Sequence, residues 1–280
     1  MANLYESLNY HTWCICINWV VVHAIEITMQ TIKGMIISLL SLNLMSCALL
    51  SCFNQTSDRF HENTFVFVEN DMSAKICAPQ KKKDQKEECV EISWKSRSSG
   101  VVFMKDDKKT LILTAGHSCI GIKREEFEKL VSIGGELTIN SALTVTSFKG
   151  EMSPAKIIKI GVDEVGKDLC VLQTDPLPSF EVAELAEHGP SYGDDVTNVA
   201  APMGLFQPNS ALIFKGQYVG NQSGLSLFSL PARPGSSGSA ILNSSGKIVG
   251  IVILAMNNLE TVAICITLED IKKFLAETNN

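Results

Sequence analysis

The feature that most constrains the fold is a long series of short segments, beginning near residue 62, that are rich in Val, Ile, Thr and Phe. Gly, Pro, Asn and Asp separate these segments along most of the chain. They read TFVFVE, CVEISW, GVVFMK, TLILTA, ELTINSALTVTSF, AKIIKIGV, DLCVLQ, DVTNVA, ALIFKGQYVG, LSLFSL, SAILN, KIVGIVILA and TVAICIT. Short strands at this spacing favour an all-β sandwich or barrel over alternating β/α units.

Two helices are predicted among the strands. KREEFEKLV, at residues 123–131, places apolar residues at helical spacing. A clearer helix follows Thr267, which pairs with Asp270 in a capping-box-like arrangement. The apolar stripe of this last helix consists of Ile271, Phe274 and Leu275.

The first fifty residues have a different character from the rest of the chain. The segment 35–52 is apolar and almost uncharged, and it is about as long as the core of a signal peptide. LLSC, ending at Cys52, resembles a bacterial lipobox, and LMSC, ending at Cys47, is a second match. We therefore expect export to the periplasm, the cell surface or a membrane anchor. Lipidation, plain secretion, an uncleaved anchor and a buried helix remain open alternatives.

A second apolar patch, CICINWVVVHAI at residues 14–25, precedes the signal-like segment. Translation that starts at Met29 or Met35 is the simplest interpretation. A two-pass hairpin is the alternative, although each segment is short for a span of about 20 residues. The expected organisation is a signal or anchor region at 1–52, an extension at 53–91 and a folded domain at 92–277.

The cysteines after residue 52 fall into two groups. Cys77 and Cys89 flank the charged run KKKDQKEE and could close it as a loop in an oxidising compartment. Cys119, Cys170 and Cys265 lie in or beside predicted strands, where a free cysteine behaves as a small apolar residue. The sequence leaves the pairing open, and no spacing suits a zinc site.

Composition and charge exclude few classes of function. The 280 residues are 45% hydrophobic and 19% charged, which is ordinary for a globular protein. The mildly acidic formal charge of −6 gives no reason to expect nucleic acid as a partner, because nucleic-acid binding favours a basic stripe. We expect no metal and no organic cofactor.

Three segments carry residues that could act together in catalysis. LILTAGHSC contains His117, KDLCVLQTD contains Asp168, and PARPGSSGSAILN contains Ser237. A serine hydroxyl needs a base to take its proton, and a neutral histidine can do so near pH 7. A carboxylate holds the imidazole in the correct tautomer, and glycines beside the serine let backbone N–H groups face an oxyanion.

The order of these residues and their flanks resemble the chymotrypsin/trypsin-like serine peptidases, especially the bacterial and viral branches. SSGVVFMKDDKKTLILTAGH, DLCVL, PGSSGSAILNSSGKIVGIV and TLEDIKKFL are the matching stretches, and they cover roughly residues 92–277. The resemblance implies two six-stranded antiparallel β-barrels and a C-terminal helix. It also implies Ser237 as nucleophile, His117 as general base and Asp168 as the group that orients His117. The N–H groups of Gly235 and Ser237 would form the oxyanion hole.

The same resemblance implies where a peptide substrate would bind. The positions are Pro231, Arg233, Ile251, Val252, Ile253 and Leu254. The segment 251–255 would pair with an extended substrate as an added strand. No acidic residue stands at the pocket base, so a small or apolar P1 residue is expected. An inward-facing Arg233 would instead favour an acidic P1 residue, whereas a solvent-facing Arg233 would not.

Three positions depart from the family pattern. Gly116 replaces the usual alanine, which the sequence suggests is a mild change. Ser239 and Ala240 replace the usual Gly-Pro, which leaves the shape of the turn after Gly238 open. Asp163 is a rival carboxylate, but no apolar strand follows it directly.

The expected activity is that of an exported serine endopeptidase, with an acyl-enzyme intermediate and protein or peptide substrates. A catalytically inactive trypsin-like fold that acts as a surface binding protein is the alternative from another class. A precursor that awaits processing is a third hypothesis.

Overall fold

The computed structural model describes residues 61–77, 89–120, 136–162, 167–256 and 259–277. Contacts divide the chain after Arg59, and all described residues lie in the second unit. The predicted signal segment with Cys47 and Cys52, the predicted helix at 123–131 and Asp163 lie outside the described residues. Within the described ranges, no helix is long and apolar enough to cross a membrane.

Twelve strands form two closed barrels of six strands each. The first barrel contains β1 (Phe65–Cys77), β2 (Cys89–Lys105), β3 (Thr110–Ala115), β4 (Glu136–Ser147), β5 (Met152–Gly161) and β6 (Leu169–Thr174). The second contains β7 (Asp195–Ala200), β8 (Leu212–Gln222), β9 (Leu225–Phe228), β10 (Ala240–Asn243), β11 (Ile248–Met256) and β12 (Leu259–Thr267). The strand orders are β1-β2-β3-β6-β5-β4 and β10-β11-β12-β9-β8-β7. Among the described residues, two α-helices accompany them, α1 (Gly116–Ile120) and α2 (Leu268–Ala276), together with short 3-10 turns at Glu62–Thr64 and Pro202–Gly204. The predicted all-β, two-barrel architecture is confirmed.

The first barrel begins earlier than the sequence indicated. Strand β1 lies between β2 and β4 in this barrel, although the sequence placed it in an N-terminal extension ending at residue 91. The segments CVEISW and GVVFMK also belong to one strand, β2. The polar stretch between them stays paired, because Lys95 lies opposite Asp71 and Ser99 lies opposite Phe67.

The main apolar core lies between the barrels and under the terminal helix. It brings Leu113 and Leu169 of the first barrel together with Ile251 and Ile266 of the second, and all four side chains are fully buried. Burying one such side chain stabilises a fold by about 1.5–3 kcal/mol. This shared core holds the facing ends of β3, β6 and β11 in fixed positions.

The terminal helix closes the fold as predicted. The Thr267 side chain caps α2 by accepting the Asp270 N–H at 3.1 Å, and Thr267 Oγ1 donates to an Asp270 carboxylate oxygen at 2.8 Å. Ile271 and Phe274 are buried on its inner face, and Phe274 belongs to the shared core.

Two disulfides form among the described cysteines. Cys77 is bonded to Cys89, its partner at the last position of the β1–β2 ladder, a pairing that the spacing made possible. Cys119 is bonded to Cys170, a pairing that the sequence had left open. Cys265 is a free and fully buried thiol, and burial raises its pKa well above the ordinary value.

Candidate active site

A histidine and a carboxylate meet at the edge of the first barrel. One oxygen of Asp168 accepts the backbone N–H of His117 at 2.7 Å, and the other lies 2.6 Å from His117 Nδ1. The His117 side chain is 48% exposed and the Asp168 side chain is 23% exposed. The carboxylate therefore fixes both the backbone and the ring of a histidine that remains accessible to solvent.

The strand pairing explains why these two residues meet. Helix α1 begins directly after β3, and Asp168 directly precedes β6. Because Ala115 lies opposite Leu169 in the β3–β6 ladder, the chain ends that carry the two side chains emerge together.

Gly116 is required by this close approach. A Cβ atom at Gly116 would lie 2.5 Å from the Gly161 carbonyl oxygen and 2.8 Å from an Asp168 carboxylate oxygen. Real Cβ atoms do not approach other atoms this closely. The sequence suggested that glycine in place of alanine is a mild change, and the structure corrects this: alanine does not fit here unless the carboxylate or the strand moves.

Ser237 lies on the loop between β9 and β10. Two turns shape this loop: Ser236 N–H donates to the Arg233 carbonyl at 2.8 Å, and Ser239 N–H donates to the Ser236 carbonyl at 3.0 Å. The second turn defines the backbone shape after Gly238, which the sequence left open because Ser239 and Ala240 replace the usual Gly-Pro. It closes over Gly238, whose φ of +86° suits glycine, and Ser239 Oγ donates a second bond to the Ser236 carbonyl at 2.7 Å.

The loop packs against the strand that leads to His117. A Cβ at Gly238 would lie 2.1 Å from both the Ser99 carbonyl oxygen and Thr114 Oγ1, and 2.9 Å from the Ala115 nitrogen. Ser99 N–H also donates to the Ser237 carbonyl at 2.9 Å. Ser237 is half-buried, and its hydroxyl forms no hydrogen bond to His117 or to any other described residue.

Two backbone donors in the loop have no acceptor among the described residues, the N–H groups of Gly235 and Ser237. Gly235 is buried and has a φ of +97°. Buried backbone N–H groups are almost always paired, so the unpaired N–H of buried Gly235, with that of half-buried Ser237 two residues on, forms an unusual, electropositive spot. The neighbouring Ser236 faces inward, where its Oγ accepts the Arg233 N–H at 3.3 Å.

The residues expected to contact substrate differ in how open they are. Pro231 and Arg233 are exposed, whereas Ile251 and Val252 are buried. Val252 is also paired at both of its backbone groups, because its N–H donates to Ser239 and its carbonyl accepts Gly238 N–H.

Strand β11 becomes irregular and more exposed beyond Val252. The β11–β12 register shifts between Val252 and Leu254, so that Ile253 lies in a bulge. Leu254 is 57% exposed.

Sequence reasoning missed three polar residues that support the loop. Ser99, Thr114 and Asn198 are buried and hydrogen-bonded to the loop or to its neighbours. Thr114 Oγ1 donates to the Ser99 carbonyl at 2.7 Å, and Asn198 Nδ2 donates to Ser239 Oγ at 2.8 Å. A small polar residue inside an apolar strand was the available signal, but it does not tell which partner the residue will find.

Comparison with known proteins places this geometry in a family. Residues 98–251 match the trypsin-like peptidase domain. The chain is 27% identical over 193 residues to the serine protease Do-like HtrB of Bacillus subtilis (strain 168), which covers 62% of this chain and 36% of that protein. It therefore spans little more than a third of that relative. The crystal structure of the serine endoprotease from Yersinia pestis matches 76% of this chain and 62% of that chain, with a TM-score of 0.52 and 21% identity.

Proposed function

The chain belongs to the trypsin-like peptidase family, and we propose that it is an active serine endopeptidase whose nucleophile is Ser237. His117 is the general base and Asp168 orients it. The observation that carries this proposal is the contact of both Asp168 oxygens with His117, at 2.7 Å to the backbone nitrogen and 2.6 Å to Nδ1. With Nδ1–H donating to the carboxylate, Nε2 is left as the basic nitrogen.

The chemistry follows from these positions. Ser237 Oγ attacks the carbonyl carbon of the scissile peptide bond while its proton passes to His117 Nε2. The N–H groups of Gly235 and Ser237 donate to the oxyanion that forms. His117 then protonates the leaving amine as the C–N bond breaks, and a water molecule, deprotonated by His117, hydrolyses the acyl-enzyme and frees the serine.

Substrate would bind as an added strand beside β11. Because Val252 is already paired with the nucleophile loop, the proposed pairing segment is 253–255, with Ile251 and Val252 supporting it from beneath. Pro231 stands at the proposed pocket base and brings no charge, so a small or apolar P1 residue is expected. The exposure of Arg233 is in keeping with the solvent-facing alternative.

Labelling with a fluorophosphonate tests the activity. We expect the full-length wild type to be labelled at Ser237, the Ser237→Ala variant to remain unlabelled, and Ser236→Ala to label as wild type because Ser236 faces inward. Turnover should fall on the order of 10⁶-fold in Ser237→Ala. Absence of labelling in folded wild type would favour the binding-protein hypothesis. Loss of labelling in Ser236→Ala alone would show that Ser236, and not Ser237, is the nucleophile.

Export and lipid anchoring form a separate part of the proposal. They are supported by the apolar segment 35–52 and by the lipobox-like LLSC that ends at Cys52. Cys52→Ser should release the protein from the membrane fraction, with Cys47→Ser as the matched control. Retention in the membrane after both changes would contradict lipidation at either cysteine.

A further inference from the structure

The peptide planes of the nucleophile loop are held from the side opposite the two unpaired donors. In a trans peptide the C=O and the next N–H point in opposite directions, so anchoring one orients the other. The Pro234 carbonyl accepts Met203 N–H at 2.6 Å, which turns Gly235 N–H the other way. The Ser236 carbonyl accepts Ser239 N–H at 3.0 Å, which does the same for Ser237 N–H.

Ser99 ties these anchors together. It is fully buried, and each of its polar groups has a partner. Its Oγ donates to the Gly235 carbonyl at 2.8 Å and accepts Ala201 N–H at 3.0 Å. Its N–H donates to the Ser237 carbonyl at 2.9 Å, and its carbonyl accepts Thr114 Oγ1 at 2.7 Å. One side chain on β2 thus joins the nucleophile loop to the turn that follows β7.

The turn that supplies Met203 N–H begins at Ala201, the residue that Ser99 holds. Gly204 N–H donates to the Ala201 carbonyl at 3.0 Å, which closes the turn around Met203. Met203 has a φ of +56°, a conformation that is unfavourable for a non-glycine residue and that the surrounding bonds must maintain. A Cβ at Gly235 would lie 2.5 Å from the Ala201 oxygen and 3.0 Å from Met203 N, so loop and turn are in direct contact.

We propose that Ser99 is a positioning residue for the oxyanion hole. Its hydroxyl bonds both the Gly235 carbonyl and the Ala201 N–H, and so keeps the turn after β7 packed against the nucleophile loop. In this arrangement Gly235 N–H faces the substrate oxygen. This inference rests on the proposed peptidase activity. The described hydrogen-bond partners of Ser99 outside the strand ladder are Gly235, Ala201, Thr114 and Ser237, and His117 is not one of them. Removing its hydroxyl leaves the Gly235 carbonyl and the Ala201 N–H without this partner. The turn that carries Met203 N–H, the donor that anchors the Pro234–Gly235 peptide, then loses its link to the loop and can shift.

The test compares Ser99→Ala with Ser153→Ala in the full-length protein. Ser153 is also a buried serine of the first barrel, but its hydroxyl bonds Pro154 and Thr174 instead of the loop. We expect Ser99→Ala to lower the second-order rate constant of fluorophosphonate labelling about 100-fold, the cost of losing one oxyanion donor. Ser153→Ala should stay within threefold of wild type. The pH midpoint of labelling should be unchanged in Ser99→Ala, because the His117–Asp168 contacts are not altered.

The outcomes separate the two proposals. If wild type is not labelled, the peptidase proposal fails and this inference fails with it. If wild type is labelled and Ser99→Ala reacts within threefold of wild type, only the positioning role is overturned. A shifted pH midpoint in Ser99→Ala would also overturn it, because the defect would then lie at His117.

A second variant tests the positioning role if Ser99→Ala does not fold. Gly204 has a φ of +71° and is only half-buried, and a side chain there would meet Arg97, so Gly204→Val should displace the turn while the barrels fold. We expect labelling to slow at least tenfold with the pH midpoint unchanged. Labelling at the wild-type rate would show that the turn does not hold the loop, and the inference would be rejected.

Discussion

The disulfide between Cys119 and Cys170 lies two residues after His117 on one side and two residues after Asp168 on the other. Both sulfur-bearing residues are buried, Cys119 in α1 and Cys170 in β6. The bond therefore joins the short helix that carries the histidine to the strand that follows the carboxylate. In an oxidising compartment this link would persist.

Removal of this disulfide should cost stability and activity together. We expect Cys119→Ala/Cys170→Ala to lower the free energy of unfolding by about 2–4 kcal/mol, measured by urea denaturation. The matched control is Cys77→Ala/Cys89→Ala, whose disulfide spans 12 residues instead of 51. In the loop-closure model its removal should lower the free energy of unfolding by about 1 kcal/mol less than removal of Cys119–Cys170. Equal activity loss in the two variants would contradict a local role for Cys119–Cys170.

Asp168→Asn should impair turnover without unfolding the protein. An amide in place of the carboxylate favours the wrong tautomer of His117 and should reduce kcat about 10⁴-fold. Steady-state kinetics on a chromogenic ester would measure the loss. Asp163→Asn is the control, since Asp163 is the rival carboxylate in the sequence. Comparable damage from Asp163→Asn alone would transfer the orienting role to that residue.

Gly116→Ala should weaken catalysis by steric displacement. The added methyl group would press on the Gly161 carbonyl and on Asp168, and a shift of about 1 Å in a catalytic group can cost about 10²-fold in rate. Gly189→Ala is a suitable control, because the Gly189 backbone is outside the left-handed region and a Cβ there would meet only the flexible Glu269 carboxylate, at 3.2 Å. The labelling rate constant of each variant checks the prediction. A Gly116→Ala variant as fast as wild type would mean that the site absorbs the methyl group without displacing Asp168.

The sequence predicted most of the strands because their determinants are local, whereas the two barrels were implied by the resemblance to the family. Alternating apolar residues and turn residues are enough to identify most strands. The cap of the last helix depends only on Thr267 and Asp270, which are three positions apart in the sequence. It also indicated that Cys77 and Cys89 could pair, because they flank one charged run, although it left the pairing open.

Features that depend on distant contacts could not be predicted in this way. Cys119 and Cys170 are 51 residues apart, and they look like core cysteines until β3 is known to pair with β6. Ser99 reads as part of a polar break between two strands, because its partners lie more than 100 residues away in Ala201 and Gly235. The need for glycine at 116 depends on the Gly161 carbonyl, which no local pattern brings near.

Cys265 should make the stability of the domain depend on alkaline pH. Burial raises the pKa of this thiol in the folded protein, whereas the thiol of the unfolded chain ionises near pH 8.5. Its contribution to stability is therefore fully present below about pH 8.5 and is lost as the pH rises above that value, by about 1.4 kcal/mol per pH unit while the native thiol stays neutral. The relevant measurement is the free energy of unfolding of wild type and Cys265→Ala at pH 8 and pH 10. We expect wild type to lose roughly 1–2 kcal/mol more than the variant over this interval. An unchanged difference between the two proteins would mean that the buried thiol ionises in the native state, and site-resolved alkylation of native Cys265 at pH 10 would then proceed without unfolding.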